Sequence, residues 1–375
     1  MPFKLEEEDA RIQNRHIDML VNRETADVLR LRSYIMKYMR DFFHEKGFLE
    51  FQTPILAGNA GGAIARPFTT DSPYFRGDDL ALRIAPELWL KRLVVGGVEK
   101  VFEIGPAFRN EGIDLSHNPE FTMCEFYNAY ASLSDLISQT EDMISGLAHH
   151  CQELISTKLI SLPQIDLSRY KEPFKQLEFI PALEAAIGFA LPDLTSDTAQ
   201  SDLVRLLVNH NIPLAEAEPS LERLTLPKLL DKLAGEYLEP HSASGPLFIT
   251  HHPACMSPLS KSFLCPKTSQ LVSARTELFV AGRELANMYE EENDPFAQRR
   301  KFVEQARRYA DAGAGEEVVV DESYVQALQS GLPPTGGWGC GIERLVMLFS
   351  GARRISDTLS FGSLRNVVGV SGRRK

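Results

Sequence analysis

The chain has 375 residues, 43% hydrophobic and 24% charged, an ordinary globular composition with ample length to bury a core. No apolar run reaches the ~18 residues a membrane span needs, and the acidic start, Glu6-Glu7-Glu8-Asp9, is unlike an Arg-rich transit peptide. The net charge of -11 argues against broad, sequence-independent binding to nucleic acid, and the five cysteines form no CxxC pair that would suggest a zinc site. Local basic patches remain candidates at Lys91-Arg92, Arg353-Arg354 and Arg373-Arg374-Lys375.

Residues 1–23 are highly charged and lack a core period, which predicts an exposed arm. From Glu24 the pattern is helical. Val28, Leu31, Ile35, Tyr38, Met39, Phe42 and Phe43 recur at three- and four-residue steps, and Gly47 is placed to end the helix. Residues 48–54 read as a short strand broken by proline. Residues 80–84, 101–109 and 121–130 also read as strands, the last two joined by a polar loop as a long-tipped hairpin. Helical periodicity returns at 133–160. Residues 162–245 carry short helical stretches between prolines, clearest at 226–238, and predict a helical insertion. Strands reappear at 246–252 and 275–291, the latter with a turn at Ala281-Gly282. Residues 294–312 form a charged helix. A Gly-rich turn, Gly336-Gly337-Trp338-Gly339-Cys340-Gly341, then opens a helix to about Ser350, with Gly351 as its stop. Paired strands flanked by helices predict an α+β domain on a mainly antiparallel sheet.

Three segments carry unusual chemistry. In 121–127 the alternation puts Phe121, Met123, Glu125 and Tyr127 on one side. An acid between aromatics is costly to bury unless paired; a solvent-facing strand is the plain alternative. Arg109, at the end of the partner strand, offers a fork of donors for a carboxylate or phosphate. In the second segment Asn287, Tyr289 and Glu291 share a face. Glu277 and Glu284 join each other there only if a turn or bulge resets the parity; together they would suit Mg²⁺. In the third, Arg344 stands in the first turn of a helix, where the dipole disfavours a cation, and so suggests an anionic partner.

Taken together, these segments resemble the three signature motifs of the class II aminoacyl-tRNA synthetases, in the wording of the lysine enzymes. Motif 1 resembles the helix from Val28 and the strand Gly47-Phe48-Leu49-Glu50-Phe51-Gln52-Thr53-Pro54. Motif 2 is similar to Phe102-Glu103-Ile104-Gly105 through Phe108-Arg109-Asn110-Glu111-Gly112, His117-Asn118-Pro119-Glu120-Phe121 and Cys124-Glu125-Phe126-Tyr127. Motif 3 resembles Gly337-Trp338-Gly339-Cys340-Gly341-Ile342-Glu343-Arg344-Leu345. Gly61-Gly62-Ala63, Arg83-Ile84-Ala85-Pro86-Glu87-Leu88 and the stretch from Asn287 to Pro295 extend the match. Glu343, where an aspartate is usual, and Pro106-Ala107 depart from the family pattern.

The resemblance implies the class II synthetase fold over residues 24–375: a six- or seven-stranded antiparallel sheet flanked by helices, with a small helical insertion at 162–245. It implies a homodimer through motif 1. It makes Arg109 and Arg344 the catalytic cations, and Glu111, His117, Phe121 and Glu277 ATP contacts beside them. Glu277 and Glu284 would carry Mg²⁺. Gly62, Glu87, Arg109, Glu125, Tyr127, Asn287, Tyr289 and Glu291 would bind lysine, with Glu291 and Tyr127 reading the ε-ammonium. The implied activity is ATP-dependent activation of L-lysine and its transfer to the 3′ end of tRNA(Lys), in the cytoplasm, with a mitochondrial location left open. The family also carries an N-terminal OB-fold that reads the anticodon. Residues 1–23 are too short to form one, so an anticodon-binding partner in trans is a further expectation. Two alternatives stand beside this reading: a lysyl ligase that modifies a protein or small-molecule acceptor, and a non-catalytic, synthetase-like dimer with a binding or regulatory role.

Overall fold

The computed structural model describes residues 4–58, 61, 65–75, 80–212, 221, 224–311 and 320–370. Its centre is an eight-stranded sheet made of β1 (Leu49–Glu50), β2 (Lys100–Phe108), β3 (Glu120–Ala129), β4 (Lys175–Glu178), β5 (Leu247–Thr250), β6 (Arg275–Val280), β7 (Arg283–Glu290) and β8 (Thr335–Gly341). The order across the sheet is β1-β2-β3-β8-β7-β6-β5-β4. The six inner strands are antiparallel throughout, whereas β1 joins β2, and β4 joins β5, in parallel.

The sheet therefore has eight strands, not six or seven. Two were unforeseen: β8, read as a Gly-rich turn, and β4, inside the segment read as helical. Its sequence, Lys-Gln-Leu-Glu, has one apolar residue and no strand pattern; pairing to the buried β5 makes it a strand. The insertion's helices, Phe179–Ile187, Ala199–Asn209 and Leu226–Tyr237, pack into a second apolar cluster with Leu247 and Ile249 of β5.

One sheet face is covered by α1 (Arg23–Glu45), whose Val28, Leu31, Ile35, Met39 and Phe43 are buried as a single stripe. They meet Phe102, Phe126 and Trp338 of the sheet, where Phe126 and Trp338 stack at 5.3 Å. The other face is left for chemistry and is partly roofed by α2 (Glu87–Val95). Where β6 turns into β7, Ala281 and Gly282 both have positive φ, 52° and 71°, as a two-residue hairpin requires.

The N-terminal segment differs from the exposed arm the sequence suggested. Short helices at Glu8–Gln13 and Arg15–Val21 dock on the body. Asp18 is fully buried, accepting hydrogen bonds from Arg11, Arg15, Asn22 and Thr25. Arg15 also donates to the carbonyls of Asp357, Leu359 and Ser360. Charges that neutralise one another can dock without an apolar period, which is why none was visible. Ile35→Ala, which opens a cavity under the sheet, should cost ~2–5 kcal/mol, read as a lower urea midpoint at unchanged m-value.

Candidate active site

The site begins with an absence of side chains. β8 runs up the middle of the sheet, with Gly337 between Tyr127 and Tyr289 and Gly339 between Glu125 and Asn287. The sequence suggested a Gly-rich turn here; it is a central strand. Glycine within a strand marks a close approach by another group. A Cβ on Gly337 would overlap Glu291 Oε1 and come within 2.6 Å of the Tyr127 ring. The glycines thus form a trough between two polar strands. Phe121, Met123, Glu125 and Tyr127 all face it, while Cys124 and Phe126 face the core.

Above the trough lies a cavity of about 810 Å³. Arginines gather at one end. The Arg109 guanidinium sits over the Phe121 ring, 5.1 Å from its centroid, and is held only loosely by protein, with Nε 3.4 Å from the Ile84 carbonyl. Burial lowers its basicity, against the pull of Glu111, Glu125 and Glu284. Close by, Arg344 in the first turn of α3 (Ile342–Ser350) donates to the Glu284 backbone carbonyl (2.9 Å) and to Glu284 Oε2 (3.2 Å). Its other nitrogen is 3.3 Å from His117 Nε2, whose Nδ1 meets Asp114 at 2.9 Å. Glu111 and His117 line the same end.

The parity question is answered by a bulge. Glu277 pairs with Asn287 and Leu278 with Ala286, but Phe279 pairs with Glu284, so Leu285 is skipped. Leu285 and Ala286 both join the core, and Glu284 turns to the cavity. Glu277 lies behind Arg275, which lines the cavity. Burial pushes the Glu277 carboxyl up, but Arg275 and His252 (3.1 Å) overcome this and hold it at about 2. Nearby Glu239 is pushed up to about 7 by burial and by Asp231, Glu277 and Glu284. Among the described residues no three His, Cys, Asp or Glu side chains form a metal site by themselves. The surplus negative charge nevertheless suits a Mg²⁺ that takes most of its oxygens from phosphate and water.

The opposite end is acidic. Glu125 is buried and accepts the Tyr127 hydroxyl at 3.0 Å; burial and Glu87 push its carboxyl up to about 8. Glu87, from α2, accepts the Tyr289 hydroxyl at 2.7 Å. Asn287 accepts from Arg275 at 2.9 Å. Glu87, Glu125, Tyr127, Asn287 and Tyr289 line this end, and Glu291 is fully buried next to them, its Oε1 over Gly337. Gly62 lies outside the described residues.

Lys91 is the residue that the sequence reading missed. Grouped with Arg92 as a basic surface patch, it is instead fully buried, its Nζ 2.5 Å from Glu87 Oε1 and ion-paired with Glu291 Oε2. Arg92 alone points outward, over the Trp89 ring. The missed signal was helical phase: Glu87 and Lys91 are four apart, on a helix whose Leu88, Leu90 and Val94 are also buried.

The model for tRNA synthetases class II (D, K and N) matches residues 7–365. The chain is 42% identical over 370 residues to the mitochondrial lysine–tRNA ligase of Schizosaccharomyces pombe, covering 98% of this chain and 67% of that protein. It is 41% identical over 368 residues to lysine–tRNA ligase cla4 of Cladosporium cladosporioides, covering 97% and 60%. With the lysine–tRNA ligase of Clostridium tetani it shares 37% over 361 residues, covering 96% and 69%. The chain thus spans roughly 60–70% of the length of these relatives.

The trough sets a steric limit that can be measured. Gly337→Ala should destabilise the fold by ~1–3 kcal/mol in urea denaturation. Gly341→Ala, whose Cβ would meet nothing within 4 Å, should stay within about 0.5 kcal/mol of wild type.

Proposed function

Because this chain belongs to the class II tRNA synthetases for aspartate, lysine and asparagine, we propose that it activates L-lysine with ATP and transfers it to the 3′ end of tRNA(Lys). One observation carries the reading: a single cavity is lined both by Arg109 and Arg344 and by the buried carboxylates of Glu87 and Glu125. Such a charge gradient fits a ligand that is anionic where it reacts and cationic where it is recognised. An aspartate-specific pocket would need cations free at the far wall. Here the cation buried at that wall, Lys91, is already held by two acids.

In this reading the adenine stacks on Phe121, with Glu111 and His117 beside it, and Arg344 takes the γ-phosphate. Arg109 bridges the lysine carboxylate and the α-phosphate, where its weak protein contacts leave its donors available. The carboxylate attacks the α-phosphate, pyrophosphate leaves, and Arg109 stabilises the charge that builds up on the phosphate oxygens. No side chain acts as nucleophile; alignment and electrostatics supply the rate. Glu277 and Glu284 would hold Mg²⁺, which when bound draws charge from the phosphates. Glu87 takes the α-amino group, with the backbone at Gly62, and Glu125, Tyr127, Asn287, Tyr289 and Glu291 receive the side-chain end. A terminal ribose hydroxyl of the tRNA then attacks the activated carbonyl and gives up its proton, and AMP leaves as the carbonyl–phosphate bond breaks.

The proposed assembly is a homodimer through motif 1, to which Leu49, Ile55 and Leu56 contribute exposed apolar surface. Relatives carry both mitochondrial and cytoplasmic names, and we assign this chain to the cytoplasm. Among the described residues no helix is long and apolar enough to cross a membrane.

The test is ATP–pyrophosphate exchange followed by charging with labelled lysine against total tRNA and total protein. Exchange should require lysine, label should enter tRNA, and Arg109→Ala should lower exchange by ~10²–10³-fold. Label entering protein instead would redirect the acceptor, and exchange indifferent to lysine would sink the reading.

Glu125 adds a pH dependence. With its carboxyl at about 8 in the lysine-free protein, it carries a proton below that pH, and an arriving ammonium must expel it. Lysine KM should therefore fall as pH rises from 6.5 to 8.5, by up to about tenfold per unit. Glu125→Gln should flatten that slope; a wild-type KM independent of pH would remove Glu125 from the pocket's titration.

A further inference from the structure

Lys91 is an expensive way to fill space. It is fully buried on α2, with Tyr127, Tyr289 and Tyr324 rings within 5.6–5.9 Å of its Nζ. Burial works against its charge, yet Glu291 and Glu87 keep it protonated, above the ordinary lysine range. A buried ion pair is seldom more stable than well-packed apolar side chains of the same volume. Its retention calls for a use of the charge itself.

Geometry supplies that use. Lys91 takes one oxygen from each of two acids, Oε1 of Glu87 and Oε2 of Glu291. Both Glu291 oxygens are buried without a hydrogen-bond partner among the described residues; Oε2 has the ion pair to Lys91, whereas Oε1 lies over the bare backbone of Gly337. Three carboxylates, Glu87, Glu125 and Glu291, share this wall with one internal cation. Fully ionised, these groups carry two more negative charges than positive ones; without a ligand, protons on the raised carboxyls make up the difference, and lysine brings two ammonium groups that can displace them.

We propose that Lys91 is a specificity-determining positioning residue: it holds Glu291 by Oε2, so that Oε1 alone receives the substrate's side-chain ammonium, and it sets the pocket's charge deficit at two. An amino acid with a neutral side chain leaves one acid uncompensated, and the pocket disfavours it for that reason. Lys91 does not touch substrate; it acts through Glu291. The inference rests on the lysine-activating reading above and adds to it the residue that counts the charge.

The experiment is lysine-dependent ATP–pyrophosphate exchange at pH 7 to 9 with Lys91→Met, Glu291→Gln and the double variant. Lys91→Met should raise lysine KM by about tenfold or more, with ATP KM within about threefold of wild type. Without Lys91, the groups around Glu291 are the acids Glu87 and Glu125 and the rings of Tyr127, Tyr289 and Tyr324. Its carboxyl then needs a higher pH to ionise, so the KM defect should shrink as pH rises. A purely structural lysine would not move that profile. Because Lys91 acts through Glu291, the double variant should be no more than about threefold worse than Glu291→Gln alone. Glu87 also loses its ion-pair partner in both Lys91→Met chains, so Lys91→Gln, whose neutral amide can still donate to Glu87, takes its place in the same cycle if Lys91→Met does not fold. Penalties that multiply in the double variant, or a Lys91→Met KM and pH profile like wild type, overturn the proposal. Wild-type protein without lysine-dependent exchange overturns the parent reading and this one together.

Discussion

A carboxylate inside a protein must be opposed by a charge or lose its own. Glu87, Glu125 and Glu291 crowd one wall of the cavity, with Lys91 inside the protein and Arg109 towards the arginine end to relieve them. The wall is polarised before any ligand arrives: burial pushes Glu291 well up against the pull of Lys91, and Glu125 is raised as well. Tyrosine hydroxyls on Glu87 and Glu125 fix the direction of each carboxylate without adding charge. Recognition here is the completion of a balance that the fold leaves open.

The sheet makes that balance affordable in space. Alternation sends Cys124, Phe126, Trp338 and Cys340 into the core beneath α1. The same strands raise Glu125, Tyr127, Asn287 and Tyr289 above a floor of glycine. A single bulge in β7 then brings Glu284 onto the cavity face, where its carboxylate and its own backbone carbonyl both hold Arg344. The class II fold supplies a rigid antiparallel platform; its irregularities aim the chemistry.

Much of this was legible in the residues. The 121–127 alternation announced its polar face because a two-residue period survives any packing partner, and α1 did the same with its 3.6-residue stripe. That Arg109 and Phe121 meet Arg344 at one cavity was reachable only through the resemblance, since a hairpin and a distant helix carry them. Other features left no local trace. Glycine has no hydrophobicity to pattern, so β8 read as a turn. β4 is a strand because of its neighbour, and the docked N-terminal helices are held by arginines around Asp18, where an apolar period was sought. Lys91 was hidden by the ordinary expectation that Lys-Arg is a solvated pair, which fails at Lys91.

The parallel pairing of β4 to β5 bears on how this chain can vary. The helices at 179–237 are sewn into the sheet rather than hung from it, because β4 guards an edge whose four residues, Leu247 to Thr250, are all buried. The next strand inward is β6, which carries Arg275 and Glu277. Excising the insertion would bare that seam to water one strand away from the acids, so it behaves as a keystone, and only its turns are free to lengthen or shorten.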